Sequence, residues 1–486
     1  MTLAAKTLGA VKSNYAGTLI RVLAQFGAQV VIMRELGPEL VGTFGYALLV
    51  FGALALVIDQ GFGWALMQGD FSEEELRVVL SRLMLGSVLG MLFVFGMSYP
   101  LAIWLDNPLA GTLFRYSAPS YLVIAVYGIS QARLRAELRF REIQYATTGA
   151  YLIAYPVVGV GLALAGAGVW ALLAAWYAQA ILQFALSFYF SPHPLVFGNP
   201  FHSCKAGALG RQVAGINVLN WAVDNASGVF AGALGSQALG NFNAASMLSR
   251  TPAMQLAQTM QTVLFSTASA LAGDVARIRQ LYLSALAAIA ILVVPSYAYA
   301  LTHADFLMHL VFGEKWLQAG SLFAAMTTGM VALAMSTLSG AVLTATGGQG
   351  TVLRSQAYCL VLMLAGLYFA VRMELVYVGI VISIAYTVRL LLQMRTIAAS
   401  TELAAADFGV VLRGPLMLGL LWCVPLASWL APGYPAMFGE LLELAGKLVL
   451  SLLACKLFPR FFVCPALLYI LQRFAPGRRL AGGLGL

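Results

Sequence analysis

Charge is scarce in this sequence. Only 10% of its 486 residues are Asp, Glu, Lys or Arg, where a soluble chain carries about a quarter. That shortage excludes a water-covered globular surface of ordinary composition. Cysteine is scarce too. Cys204, Cys359, Cys423, Cys455 and Cys464 are scattered, mostly in apolar runs, and give neither a disulfide framework nor a zinc spacing. They read as small apolar filler. No G-x-x-x-x-G-K-[ST] loop is present, so nucleotide hydrolysis by the usual P-loop is excluded. H-E-x-x-H and G-x-S-x-G are also missing, as is a polar segment long enough to house a soluble catalytic domain. These absences disfavour an enzyme and call for no cofactor.

What fills the chain instead is apolar: 61% hydrophobic residues and a mean hydropathy of +0.85. The apolar stretches are continuous over about 20 residues, the length of a membrane-spanning helix. They do not alternate as barrel strands do. The expectation is an all-α polytopic membrane protein with about 14 spans. Six fall near 14–34, 41–66, 80–103, 112–132, 145–165 and 168–190, followed by a polar linker with Pro192, Pro194 and Pro200. Six more fall near 211–234, 241–270, 280–302, 318–346, 351–371 and 375–397, and two near 408–430 and 440–458. The organisation expected is therefore an N-terminal six-helix bundle (1–190), a cytoplasmic linker (191–210), a second six-helix bundle (211–400), and two extra helices with a basic cytoplasmic tail (401–486). The first apolar run follows Lys6 and Lys12 without a convincing cleavage site, which reads as a retained helix rather than a signal peptide. From Pro459 to Arg479 the tail suits either an interfacial segment or an extension of the last helix.

Charge tests this layout. With the N-terminus in the cytoplasm and each span crossing once, most of the 28 Lys and Arg lie on the inner side, Arg133, Arg135, Arg139, Arg141, Arg277, Arg279, Arg395 and Arg478 among them. Only Arg34, Arg115, Lys315 and Arg372 lie outside, and Arg21, Arg250 and Lys447 fall within spans. The positive-inside rule gives such a split, with both termini cytoplasmic. The net charge of +9 therefore reflects topology and not nucleic acid. Ser72 and Glu75 ahead of the third apolar run fit a capping box.

A short pattern occurs twice. Leu36-Gly37 opens LGPELVGTF (36–44), and Leu234-Gly235 opens LGSQALGNF (234–242), 198 positions later. A repeat at that period suggests two membrane-embedded halves on one plan, as in many transporters, where substrate sits at the seam. Its glycines are expected to permit tight turns at the outer ends of helices 1–2 and 7–8.

Polar residues inside spans are costly and mark function. The first span carries Asn14, Thr18, Arg21, Gln25 and Gln29 on one helical face. Near mid-bilayer an arginine costs about 2.5–3.5 kcal/mol on insertion scales, so Arg21 should face water or a partner helix. The seventh span carries Asn217, Asn220 and Asp224, and the eighth Arg250, Thr251, Gln255, Gln258 and Thr262. Together they could line one cavity. Amides and hydroxyls suit a sugar, and arginine suits a phosphate. The alternative is interhelical glue, with Arg21 paired to Asp224. Asp224 and Asp59 are coupling-ion candidates. Lys447 either snorkels or pairs with Glu443. The arginines at 133–141 suit topology, or attraction of diphosphate head groups and anionic lipid. His303 and His309 lie near Asp305 without an evident third and fourth ligand, so no metal site is expected.

The stretch RELGPELVGTFGYALLVFGALALVIDQGFGWALMQ (34–68) resembles the opening of the polysaccharide transporter family, the Wzx-type oligosaccharide flippases of the MATE-like superfamily. LRAELRFREI (134–143), GAGVWAL (166–172), NVLNWAVDNASGVFAGALGSQALGNFNAASMLSRTPAM (217–254) and FGEKW (312–316) resemble its later segments in order. Asp224 and Pro252 match, whereas Ser266 stands where such proteins often have proline. TATGGQG (344–350) likewise lacks the basic residue often found after a glycine in that loop. The resemblance implies two MATE-like six-helix bundles plus two further helices. It also implies alternating-access transfer of a polyprenyl-diphosphate-linked oligosaccharide across the bacterial inner membrane for O-antigen, capsule or exopolysaccharide. A polysaccharide polymerase or export machinery would then be a partner. Rival readings are a lipid II flippase, a MATE-like drug or cation antiporter, and a membrane-embedded polysaccharide polymerase. The arginines disfavour the antiporter, and the short outer loop near 303–317 disfavours the polymerase.

Overall fold

The computed structural model describes residues 22–59, 72–137, 139–193, 196–202, 205–271, 273–424, 436–457 and 462. The described residues hold helices and connecting turns and no strand. In chain order the helices are α1 (22–36), α2 (Pro38–Asp59), α3 (Glu73–Trp104), α4 (Pro108–Ser117), α5 (Ser120–Ala136) and α6 (Phe140–Ile153). Then come α7 (Val160–Leu164), α8 (Trp170–Phe190), α9 (Lys205–Ala233), α10 (Ser236–Ala270), α11 (Val275–Thr302) and α12 (Ala304–Phe312). The last are α13 (Gly320–Ala345), α14 (Gln349–Ala370), α15 (Leu375–Thr401), α16 (Ala405–Cys423) and α17 (Ala436–Leu457). Among the described residues, nine helical segments are long and apolar enough to cross a membrane.

Local chemistry sets the helix ends. Ser72 caps α3 by accepting from the Glu75 N–H at 3.2 Å, and the Glu75 carboxylate accepts from the Ser72 N–H at 3.1 Å. This is the reciprocal box read from the sequence, and removing such a cap costs about 1 kcal/mol. The fourth expected span is two helices, because the chain breaks at Ala118-Pro119 between α4 and α5. Asn107 caps α4 by accepting from Ala110 N–H, and its amide reaches Thr43 on α2. Pro156 sits in a π-helical segment, Ala154–Gly159, joining α6 to α7, since proline removes a ladder donor. The expected outer loop is also helical: α12, then a 3-10 turn over Glu314–Ala319 that buries Trp316 completely.

The chain clusters into two compact units, Met1–Asn243 and Ala244–Leu486. In the first, α8 packs on α5 and α6, α3 on α4 and α5, and α9 on α2. Small side chains, among them Ala146, Ala150, Ala154, Ala171 and Ala175, are fully buried there, which lets helices approach closely in lipid. The buried Gln131 amide donates to Ser187 across α5 and α8.

The crossing from α8 to α9 is strapped down. Ser130 donates to Ser191 C=O, and the Arg133 guanidinium to Pro192 C=O. Gly198 N–H donates to Ser81, while Arg82 donates to both Pro200 and His202 carbonyls at 2.7 Å.

In the second unit α13 packs on α11 and α15, α14 on α15, and α11 on α16. Gln393 and Ser355 hydrogen bond between α15 and α14. The Arg279–Asp407 ion pair, at 2.7 Å, ties the start of α11 to the start of α16, where Asp407 also accepts from Ala404 N–H.

The two copies of the repeated pattern behave alike. Gly37 and Gly235 take positive φ, 79° and 110°, a region that favours glycine. They make the turns into α2 and α10, as expected. Gly42 and Gly240 do not turn the chain. They lie within helices, where bare backbone meets bare backbone.

Candidate functional site

Two helices carry the expected polar faces. On α9, Asn220 and Asp224 are exposed and Asn217 half-buried, while Val223, Ala226 and Ser227 are buried on the other side. On α10, Gln255, Gln258 and Thr262 are exposed and Arg250 half-buried, while Ala253, Ala257, Leu264 and Ala268 are buried. Each helix thus buries small residues in its own unit and leaves amides exposed, beside exposed apolar residues such as Val218 and Val263. Neither α9 nor α10, though long, is among the nine strongly apolar segments. Amides and charges are disfavoured against acyl chains, so these faces suit a wet or partnered surface.

A side chain also enters the backbone of α10 at one point. Pro252 lies inside the helix. The next amide, Ala253 N–H, donates to the Tyr297 hydroxyl at 3.1 Å, and that hydroxyl donates in turn to Ser249 C=O. The Tyr297 hydroxyl thus bridges the donor and the acceptor of one rung, and a side chain inserted at the ladder is a recognised cause of bending. It sits beside Arg250, on the turn that begins the polar face.

On α1, Gln25 is exposed and Gln29 half-buried. Both amides lie beside the Tyr151 hydroxyl, and the Tyr151 ring stacks on Tyr155 at 4.5 Å. Asn14 and Arg21 lie outside the described residues, as does the side chain of Asp59 at the end of α2. Of the arginines at 133–141, Arg139 is paired with Glu137 and Glu142 and Arg133 holds the strap, leaving Arg135 and Arg141 as the exposed ones.

Sequence reasoning passed over one charged cluster. Lys447 does not snorkel. Its side chain and that of Glu443 are both fully buried and form an ion pair. His303, at the junction of α11 and α12, brings its Nε2 to 3.0 Å from Glu443 and 3.3 Å from Glu440. The two carboxylates beside His303 therefore come from α17, more than a hundred residues away. The Glu443–Lys447 spacing was visible, but nothing local joined it to His303.

The sequence matches the family described as polysaccharide biosynthesis protein over residues 31–321. The chain belongs to that family. Its fold is similar to that of the lipid II flippase MurJ in an inward closed conformation. That likeness has a TM-score of 0.70 at 13% identity and covers 91% of this chain and 99% of that one. It is also similar to an inward-facing multidrug resistance MATE family transporter of the MOP superfamily, with a TM-score of 0.57 at 16% identity, over 79% of this chain and 96% of that one. At these identities the likeness is one of fold. No curated protein matches the sequence. The two fold neighbours are a flippase and a transporter, and with nine apolar helical segments among its described residues this family member is a multi-pass membrane protein.

Proposed function

We propose that this protein moves an oligosaccharide linked to a polyprenyl diphosphate from the inner to the outer leaflet of the bacterial inner membrane, by alternating access. The glycan would be a building block of O-antigen, capsule or exopolysaccharide. The observation that carries this reading is the pair of exposed amide-rich faces on α9 and α10, in a chain otherwise built for lipid. A sugar offers many hydroxyls, each of which needs a partner once it leaves water. Asn217, Asn220, Gln255 and Gln258 supply donors and acceptors, with Gln25 and Asn14 from the first span. Arg21 and Arg250 supply charge-assisted donors for the diphosphate. Asp224 and Asp59 are the candidates for coupling transfer to an ion gradient. The lipid tail stays in the bilayer throughout, so only the head group needs a polar route.

The test is deletion of the gene followed by analysis of lipid-linked intermediates. The reading requires loss of surface polysaccharide and accumulation of the lipid-linked oligosaccharide on the inner leaflet. Unchanged surface polysaccharide would overturn it. The likeness to MurJ over nearly the whole chain favours a second reading, flipping of lipid II. That reading requires the gene to restore growth of cells depleted of their own lipid II flippase.

A further inference from the structure

We infer that His303, Glu440, Glu443 and Lys447 form a proton-binding site, with the exchanging proton on Nδ1 of His303. The site lies at the end of α11 opposite Arg277 and Arg279, and it joins α11 to α16 and α17. It does not depend on which lipid-linked sugar is carried.

The argument starts from the permanent charges. An ammonium has three donors. Those of Lys447 face Glu443, the Trp422 carbonyl at 2.7 Å, and the ring of Tyr299, whose centroid lies 5.0 Å from Nζ. Lys447 is thus fully engaged as a cation and balances Glu443. Glu440 remains as a carboxylate whose nearest cationic prospect is the imidazole. With a neutral ring the four groups sum to one negative charge in a site where His303, Glu443 and Lys447 are closed to solvent. With an imidazolium they sum to zero. Buried charges are tolerated when paired and hydrogen-bonded.

The contacts of the two ring nitrogens say which one exchanges. Ionised carboxylates only accept. Nε2 faces two of them, so it keeps its hydrogen in both states. Nδ1 faces the Thr302 hydroxyl at 2.8 Å and the Tyr299 carbonyl at 3.2 Å. In the neutral ring, Nδ1 accepts from the Thr302 hydroxyl. In the imidazolium, Nδ1–H donates to the Tyr299 carbonyl or to the Thr302 oxygen, and that hydroxyl turns to the Ala298 or Tyr299 carbonyl, at 3.3 and 3.2 Å. Both protonation states are therefore satisfied by rotating one hydroxyl. The Tyr299 ring, stacked on the imidazole at 4.1 Å, holds the ring plane fixed. Glu440, whose side chain is 25% exposed, is the door to solvent.

The remaining neighbours leave this balance intact. From α12, the Asp305 carboxylate lies against Gly320 at the start of α13. From α16, Trp422 contributes its carbonyl and an indole whose N–H is engaged by Ser451. The imidazole and carboxylate atoms lie within 4.8 Å of one another, yet a divalent ion among them would stand beside the ammonium already seated on Glu443. A proton adds the one charge that the site lacks.

The experiment is nitrogen NMR of the full-length protein in lipid nanodiscs with labelled histidine. The chain has four histidines, and the His303 signals are those lost in His303→Gln. Between about pH 5 and 8, the range in which histidines change charge, Nε2 should stay protonated while Nδ1 passes from lone pair to N–H. Glu440→Gln removes a facing negative charge and should lower the proton affinity at Nδ1 about tenfold or more. Thr302→Val removes the donor to the neutral ring and should raise it. The apparent melting midpoint of each variant, read beside the spectra, reports that the unit holding His303 is folded. An Nδ1 that holds one state across the range would overturn the proposal. So would a Glu440→Gln curve that overlays the wild type, or a metal-type shift of Nε2 on adding zinc alone.

Discussion

Gly42 and Gly240 occupy equivalent places in the two copies of the repeated pattern, and each is pressed against the backbone of the residue that opens the other copy's helix. A Cβ on Gly42 would lie 2.7 Å from the Gly240 nitrogen and overlap the Ser236 carbonyl oxygen. A Cβ on Gly240 would lie 2.6 Å from the Pro38 carbonyl carbon. Ser236 and Pro38 are themselves equivalent positions, the first residues of α10 and α2, so the contact exchanges with itself. Gly42→Ala and Gly240→Ala should each lower stability by about 1–3 kcal/mol, the cost of overpacking. The double variant should cost less than the sum, because the first methyl already parts the helices. Apparent melting midpoints of the purified protein check this, and strict additivity would contradict it.

Tyr297→Phe removes the hydroxyl that bridges Ala253 N–H and Ser249 C=O. Two buried backbone groups then either re-pair across a straighter helix or remain without partners, at about 1–3 kcal/mol for an unsatisfied buried group. Hydrogen exchange at Ala253 separates the two outcomes. The expected result is faster exchange with a lowered melting midpoint, because Pro252 next door hinders closure of that turn.

Glu443→Gln and Lys447→Met each strand a buried charge, at about 3–5 kcal/mol. Combining them removes both charges and should recover part of the loss. A melting series of the two single variants and the double reads the coupling directly. A double variant less stable than either single one would mean that the pair is not the dominant interaction of Lys447.

Arg21→Ala should abolish surface polysaccharide while the amount of protein in the membrane stays normal. Gln255→Ala and Gln258→Ala, on the exposed face of α10, should reduce export with melting unchanged. Immunoblots of the glycan beside immunoblots of the protein check all three. Wild-type export by Arg21→Ala would remove that arginine from the transport route.

The helical membrane architecture was legible because lipid demands long apolar runs, and nine such segments stand among the described residues. The third helix was legible to the residue at its start, since Ser72 and Glu75 act over a single turn. The break at Ala118-Pro119 was hidden because a proline inside an apolar run reads equally as a kink within a single span. The turns at Gly37 and Gly235 could be anticipated from the pattern, whereas the role of Gly42 and Gly240 could not, because a close approach depends on what lies opposite. The polar faces of α9 and α10 followed from helical spacing. The cluster around His303 did not, for its members meet only when α17 returns to α11. The wedge of Tyr297 in α10 was hidden for the same reason: a tyrosine in one helix does not announce the rung of another that it will enter.

The strap between α8 and α9 carries a consequence for anyone who would divide this protein. A peptide joint that merely spans a gap can be cut, lengthened or replaced by a flexible tether at small cost. This one cannot, because Ser81, Arg82, Ser130 and Arg133 grip its backbone from below. Severed between residues 193 and 196, the first fragment would keep its own end on Ser130 and Arg133, and Ser81 and Arg82 would remain as the seats to which the second fragment's end must return.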